Sequence, residues 1–411
     1  MLLSGSRTVS QWLNLGTPIV SADAYLEGSP VDRLVYTLFI IAGVFVLHQR
    51  RLKWEEFFKQ NKWVWLFFVF GALSIVWSDY PYVCLKRLIK GLGTVTMALV
   101  VLTEDRPYIA LGVILRRLSF VLLPLSVLFI KFYPELGRAY DAGGTPMYTG
   151  VGFQKNALGQ ICLLTGLYFS WNILLGRRDD SSGQHLHYSI YLIIPPMIVW
   201  LLYMSHSATS QACLLFAIVL FVIAKHPAFI REPHRIIVFC AICIGLFGII
   251  ELAVDVKATI ITLLGRKPDL TNRTYVWAKY LSMVKDPIIG YGYEMFYSSV
   301  MMKNMVEGFA STHNGYLEMY LNLGIIGLFF VVGWVMSGLK KIWHYLILDF
   351  SAAMLRLAII IVAVLYNWTE SAFAGTNNIW TLLFIAIMST PSKQGVALNE
   401  IQNNKVVYSS K

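Results

Sequence analysis

The sequence predicts an all-α fold: a polytopic membrane helical bundle of about eleven transmembrane helices, with a large outer-face loop containing short interfacial helices. Three observations lead there. Of 411 residues, 57% are hydrophobic and only 14% charged, against roughly a quarter charged in a soluble domain. The charges fall in clumps between apolar stretches such as Trp63 to Trp77, Ala208 to Ala224, Ile236 to Val254 and Gly324 to Gly338. Aromatic residues make up 14%, which suits belts of Trp and Tyr at two membrane interfaces.

Taken in order, helices are expected near 33–48, 62–78, 88–103, 117–131, 157–175, 189–204, 207–224, 236–254, 318–338, 355–371 and 378–390. The fourth begins on Arg116 and Arg117 and carries Pro124, so its start is the hardest to place. Pro195 and Pro196 should kink the sixth. Val9 to Ala24 has room for a partial or re-entrant segment, and Met1 to Val20 lacks the continuous apolar core of a cleaved signal peptide. No repeat and no soluble domain is visible, so residues 1–411 read as a single integral membrane domain. The net charge of +11 is spread over many short loops, which argues against nucleic acid as a partner. The five cysteines have neither metal nor disulfide spacing and are assigned to helix packing.

Orientation follows from Lys and Arg in short loops. The loop His48 to Lys62, with Arg50, Arg51, Lys53, Lys59 and Lys62, is placed inside. That sets the N-terminus outside and the C-terminal tail inside. Lys86 and Arg87 run against the rule. Two longer polar loops then face out, 131–156 and the large loop 255–316. Long loops of this kind are usually functional or disordered, so the outer face is expected to be the working side.

The large loop contains DLTNRTYVWAKYLSMVKDP, 269–287, in which Val276, Trp277, Tyr280, Leu281 and Val284 recur at helical spacing. With Thr271 as N-cap, Arg273 falls in the first turn. Cations are disfavoured there unless an anion is shared between the guanidinium and the free N–H groups. The alternative is an interfacial Arg meeting lipid head groups. In IIGYGYEMF, 288–296, Gly290 and Gly292 mark a tight turn, read as a surface loop rather than a phosphate cradle. STHNGYLEMYLNLGIIGLFF, 311–330, sets His313 and Asn314 at the outer mouth of the ninth helix, with Tyr316 on the same expected helix face. A lone His at a helix start is most often a cap, but this one has company. Lys155 and Asn156 open the fifth helix, Lys86 and Arg87 precede the third, and Arg138 and Asp141 lie in the first outer loop. The third, fifth, seventh and ninth helices all turn their N-termini outward, which favours an anionic head group. Helix interiors carry few ionisable residues; Lys90, Glu251 and Glu370 are the main exceptions, all near outer ends. No paired acid run lies outside to hold a cation, so a metal-independent reaction on a lipid-linked phosphate or diphosphate fits best.

The whole chain resembles the bacterial O-antigen ligase and polysaccharide polymerase family, nearest to its exopolysaccharide-polymerase-like members. The likeness rests on WSDYPYVCLKR at 77–87, PELGRAYDAGG at 134–144, GFQKNALG at 152–159, SHSATSQ at 205–211, NRTYVW at 272–277, GYGYEMF at 290–296 and STHNGYLEMYLNLGIIGL at 311–328. The resemblance implies a metal-independent, inverting glycosyltransferase of the bacterial inner (cytoplasmic) membrane, with its site on the periplasmic or outer face and no cofactor. It implies a glycan moved from undecaprenyl diphosphate to an acceptor sugar hydroxyl, glycan or lipid-linked. Membrane lipids and other polysaccharide assembly proteins are the implied surroundings. His313 is the implied catalytic base and Arg273 a diphosphate contact. Ligases often carry a further Arg in the hairpin that here reads SHSATSQ; His206 stands near that place instead. The second contact then falls to Arg138, Arg87 or Lys155, and polymerase and ligase both remain open. A transporter or flippase of lipid-linked oligosaccharide is the rival, and it would need polar groups through the bilayer centre and two related halves. A structural membrane subunit would leave the outer His, Arg and Lys set unexplained.

Overall fold

The computed structural model describes residues 7–13, 28–140, 144–176, 188–254, 270–304, 311–373 and 375–390. A single-turn helix α1 (Val9–Trp12) occupies the start of the stretch expected to hold a partial segment; the rest of it, 14–24, lies outside the described residues. Then come α2 (Pro30–Gln49), α3 (Trp54–Gln60), α4 (Lys62–Leu73), α5 (Pro81–Leu102), α6 (Pro107–Phe132) and α7 (Pro134–Gly137). A small antiparallel pair follows, β1 (Arg138–Tyr140) and β2 (Pro146–Tyr148), with Ala139 opposite Met147. The second half holds α8 (Lys155–Leu175), α9 (Tyr188–Ser205), α10 (Ala208–Ala224), α11 (Pro227–Arg231) and α12 (Arg235–Val254). It continues with α13 (Leu270–Ser282), α14 (Phe296–Asn304), α15 (Gly315–Leu348), α16 (Phe350–Thr369) and α17 (Asn378–Ile387). Proline opens α2, α5, α6 and α7 at a position where its missing N–H costs nothing.

Every expected segment is a helix, with shifted limits. α6 starts at Pro107, well before Arg116, so the two arginines sit inside the helix rather than at its mouth. α4 ends at Leu73, because Ser74 turns its hydroxyl back to the Gly71 carbonyl (2.7 Å) and accepts the Tyr293 amide (2.9 Å). α9 runs through Pro195 and Pro196. The stretch 131–156, expected as the first outer loop, holds α7 and the β pair.

Five helices, α2, α6, α8, α15 and α16, are long and apolar enough to cross a membrane by length and composition; α4, α10, α17 and Leu192–Ser205 are shorter apolar helices. On α2, Leu34, Leu38, Ile41, Val44 and Phe45 are all exposed. A continuous apolar face of that extent is untenable in water and natural in lipid. The chain is a multi-pass membrane protein. α16 and α17 form its centre and are buried along nearly their whole length. α8 packs on α9 and α10, α10 on α16, and α15 on α16 and α17. Cys84, Cys162, Cys213 and Cys240 are free and buried in this packing.

The segment around Gly290 departs from expectation. α15 is broken at Gly324 (φ 63°, ψ −160°), and chain 287–292 is spliced across the break. The Tyr291 and Gly292 amides donate to the carbonyls of Leu321 (3.2 Å) and Asn322 (2.8 Å), while Ile325 and Ile326 donate to those of Pro287 (2.9 Å) and Ile288 (3.3 Å). The groups freed by the break are thus satisfied by protein, as non-helical backbone within an apolar bundle requires. A Cβ on Gly324 would stand 2.1 Å from the Ile288 carbonyl oxygen, and one on Gly290 2.5 Å from that of Asn322. GYGYEMF is a structural splice, not a free surface turn.

Candidate active site

His313 was expected at the mouth of the ninth helix, on one face with Tyr316; it stands at that mouth, just before the helix begins. Asn314 is the N-cap of α15, its side chain accepting the amides of Tyr316 and Leu317 (3.0 Å each). His313 precedes it with φ 49°, a value a non-glycine residue rarely adopts. Its Nδ1 lies 3.0 Å from Glu370 Oε2, just past the end of α16. A carboxylate only accepts, so Nδ1 carries the hydrogen, and in the neutral ring Nε2 is then the nitrogen with the lone pair. The His313 side chain is 28% exposed and that of Glu370 10%, so the imidazole is the more reachable of the two. Glu370 is itself aimed: Asn156 Nδ2 donates to its other oxygen (2.8 Å), and its carbonyl accepts the Gly315 amide (3.1 Å).

The neighbouring helix ends meet at the same place. Asn156 lies in the first turn of α8, and Lys155 begins that helix, partly exposed. Thr209 at the start of α10 hydrogen-bonds Thr369, the residue before Glu370 (2.6 Å). Gln160 of α8 donates to Asn377, the N-cap of α17 (3.1 Å). The N-termini of α8, α10 and α15, the fifth, seventh and ninth of the expected helices, thus meet at Thr369 and Glu370.

Arg273 falls in the first turn of α13, whose start at Leu270 leaves Thr271 inside the helix rather than as its cap. That helix reaches the His313 turn through Trp277, whose Nε1 donates to the Thr312 carbonyl (2.8 Å). Below it, Tyr280 is fully buried against Phe296 and Tyr297. The Tyr297 hydroxyl accepts the Thr312 amide (2.9 Å) and donates to Glu318 (2.7 Å), which also receives Ser311 and Thr312. Burial, then the Glu318 carboxylate, push the Tyr297 phenol well above its usual range, so it stays a donor.

Three expected binding residues have internal work. Arg138 turns its guanidinium on the Ile130 carbonyl (3.1 and 2.8 Å) and over the Tyr148 ring, closing α6 and fastening the β pair. Arg87 donates to the Glu294 carbonyl, tying α5 to the splice. Tyr316 sends its hydroxyl to the Val364 carbonyl of α16 (2.9 Å). His206 is exposed, with φ 48°, beside Tyr203. Asp141 lies outside the described residues. Sequence reasoning missed Glu370 as the partner of His313, though a carboxyl near the end of an apolar helix was the available signal. It also missed Arg7, which donates to the carbonyls of Leu136 (2.7 Å) and Gly152 (3.3 Å) and ties together the two ends of the stretch that holds α7 and the β pair. Among the described residues no group of three or more His, Cys, Asp or Glu could hold a metal ion.

The family model described as O-Antigen ligase matches residues 196–332, a stretch that includes Arg273 and His313 but neither Asn156 nor Glu370. The chain is 25% identical over 289 residues to the exopolysaccharide production protein ExoQ of Rhizobium meliloti (strain 1021). That alignment covers 65% of this chain and 61% of ExoQ, so the chain spans less than two thirds of that relative. By the matched model over 196–332 and by this likeness, the chain is similar to O-antigen ligase/polymerase-like proteins.

Proposed function

We propose that the protein is a glycosyltransferase of the polysaccharide polymerase or O-antigen ligase type, working on the non-cytoplasmic face of the bacterial inner membrane. All eleven segments expected to cross the bilayer do so in this reading, and 131–156 and 255–316 are its outer loops. The donor is a glycan on undecaprenyl diphosphate and the acceptor a sugar hydroxyl. His313 Nε2 takes the acceptor proton as oxygen attacks C1 from the face opposite the diphosphate, inverting that carbon. Arg273 and Lys155, with the helix N-termini around Glu370, stabilise the departing diphosphate. No metal is required, because diphosphate is already a good leaving group and cationic side chains meet its charge. The observation that carries this reading is the His313–Glu370 pair, oriented so that one ring nitrogen is held and the other presented.

The test is reconstitution in vesicles with a lipid-linked repeat unit, acceptor supplied only on the outer side and EDTA present. Formation of a new glycosidic bond is expected. A requirement for restored magnesium or manganese would remove the metal-independent account. Movement of the lipid-linked glycan across the bilayer without bond formation would make the protein a transporter.

A further inference from the structure

The peptide joining Thr312 to His313 is held from both sides. Its amide, that of His313, donates to Ser311 Oγ (3.1 Å), and its carbonyl, that of Thr312, accepts Trp277 Nε1 (2.8 Å). This is the peptide plane that sets the φ of His313 at 49°. A residue held in a sparsely populated backbone region stays there only when its surroundings over-determine it. Thr312 is 1% exposed, and its own amide and hydroxyl are also engaged, by Tyr297 and by Asn314 and Glu318. The Trp277 bond differs from these in coming from α13, the helix that carries Arg273. Trp277 lies four residues after Arg273 on α13, one turn along the same face.

We propose that Trp277 is a positioning residue that couples the helix carrying Arg273 to the backbone turn carrying His313, so that a diphosphate engaged at the start of α13 sets the base for attack. This rests on the transfer reading above. Displacement of a base by about 1 Å is enough to cost ~100-fold in rate, so a single indole N–H can matter here beyond its own strength. The coupling also gives a reason for the indole: a phenyl ring would fill the same space but could not donate.

The experiment compares wild type, Trp277→Phe and Trp277→His. Phe keeps a ring without a donor, and His restores a ring N–H. Single-turnover transfer at saturating lipid-linked donor is measured beside the affinity for undecaprenyl diphosphate. The Phe variant should transfer about tenfold more slowly with donor affinity within about twofold, and the His variant should recover part of the rate. A second readout needs no turnover: labelling of His313 by diethyl pyrocarbonate, followed by mass spectrometry, with the exposed His206 at the same end as internal control. In the Phe variant His313 should label several-fold faster while His206 is unchanged. Wild-type transfer with an equally fast Phe variant would overturn the coupling and leave the function standing, as would a loss confined to donor affinity or a His variant no better than Phe. No wild-type transfer would remove the function, and the labelling comparison would still decide whether Trp277 holds the His313 turn: equal His313 labelling refutes it.

Discussion

The two ends of α17 bury polar groups in opposite ways. Beyond its carboxyl end, Arg356 donates to the carbonyls of Ala386 (2.8 Å) and Met388 (3.3 Å) with its guanidinium over the Tyr345 ring. Lys341 donates to the Ile387 carbonyl (2.7 Å) and to Asn61 (2.9 Å). These cations sit where the helix dipole is negative and where carbonyls have no partner within the helix. Each is answered by protein oxygen, and Arg356 is only 1% exposed. Before the amino end of α17, the chain from Glu370 to Asn377 holds a carboxylate already engaged by Asn156 and His313. There, among the described residues, the imidazole is answered on Nδ1 alone. Of the four positive-φ non-glycine residues among those described, His206, Glu294 and His313 lie at this end. Saturated charge closes a helix and holds the fold. An imidazole held on Nδ1 and set on a turn with φ 49° is what the proposed transfer would use.

The comparison can be broken by exchanging the expected phenotypes. The largest effect belongs to His313→Ala, which should lower transfer about 100- to 10,000-fold, the usual contribution of a general base. Its thermal midpoint and its affinity for undecaprenyl diphosphate should stay near those of wild type. A variant that loses donor binding instead would assign His313 to the wrong substrate. Next comes Arg273→Ala. A charge-assisted hydrogen bond contributes about 1.5–3 kcal/mol, so donor affinity should fall roughly tenfold or more. Arg273→Lys should recover only part, since a point charge does not reproduce the planar fork. Unchanged donor affinity in both would take Arg273 out of the site. The smallest effect on chemistry belongs to Arg356→Met at the closed end. It strands two buried carbonyls, each costing about 1–3 kcal/mol, so the thermal midpoint in detergent should drop while turnover per folded molecule stays within about twofold. A large loss of turnover at full stability would mean that the closed end is not mere scaffold.

Much of this was readable in the chain, for identifiable reasons. Long apolar runs bounded by charge give helices, and the His and Asn types at helix mouths flagged the end where His313, Asn156 and Glu370 meet. What escaped were contacts made by closure of the fold. Glu370 was visible as an ionisable group near a helix end, but it lies 57 residues from His313. Their approach depends on α15 and α16 packing closely enough that a Cβ on Gly315 would stand 2.0 Å from the Asn367 side-chain oxygen. No period in the sequence encodes that. The Gly290 splice escaped because a Gly-x-Gly looks the same in a surface turn as in a strand crossing a broken helix. Arg138 and Arg87 were candidates for the second diphosphate contact by charge and place along the chain; the carbonyl each one meets becomes known only from the folded chain.

The central claim is that Glu370 acts through His313. A double-mutant cycle in single-turnover transfer tests it, using His313→Ala, Glu370→Gln and the pair. Glu370→Gln alone should cost on the order of 100-fold, because the amide no longer enforces the tautomer that presents Nε2. Groups that act as one unit are non-additive, so adding Glu370→Gln to His313→Ala should change the rate by no more than about twofold. If the two losses multiply, the acid has a task of its own and the dyad account is contradicted.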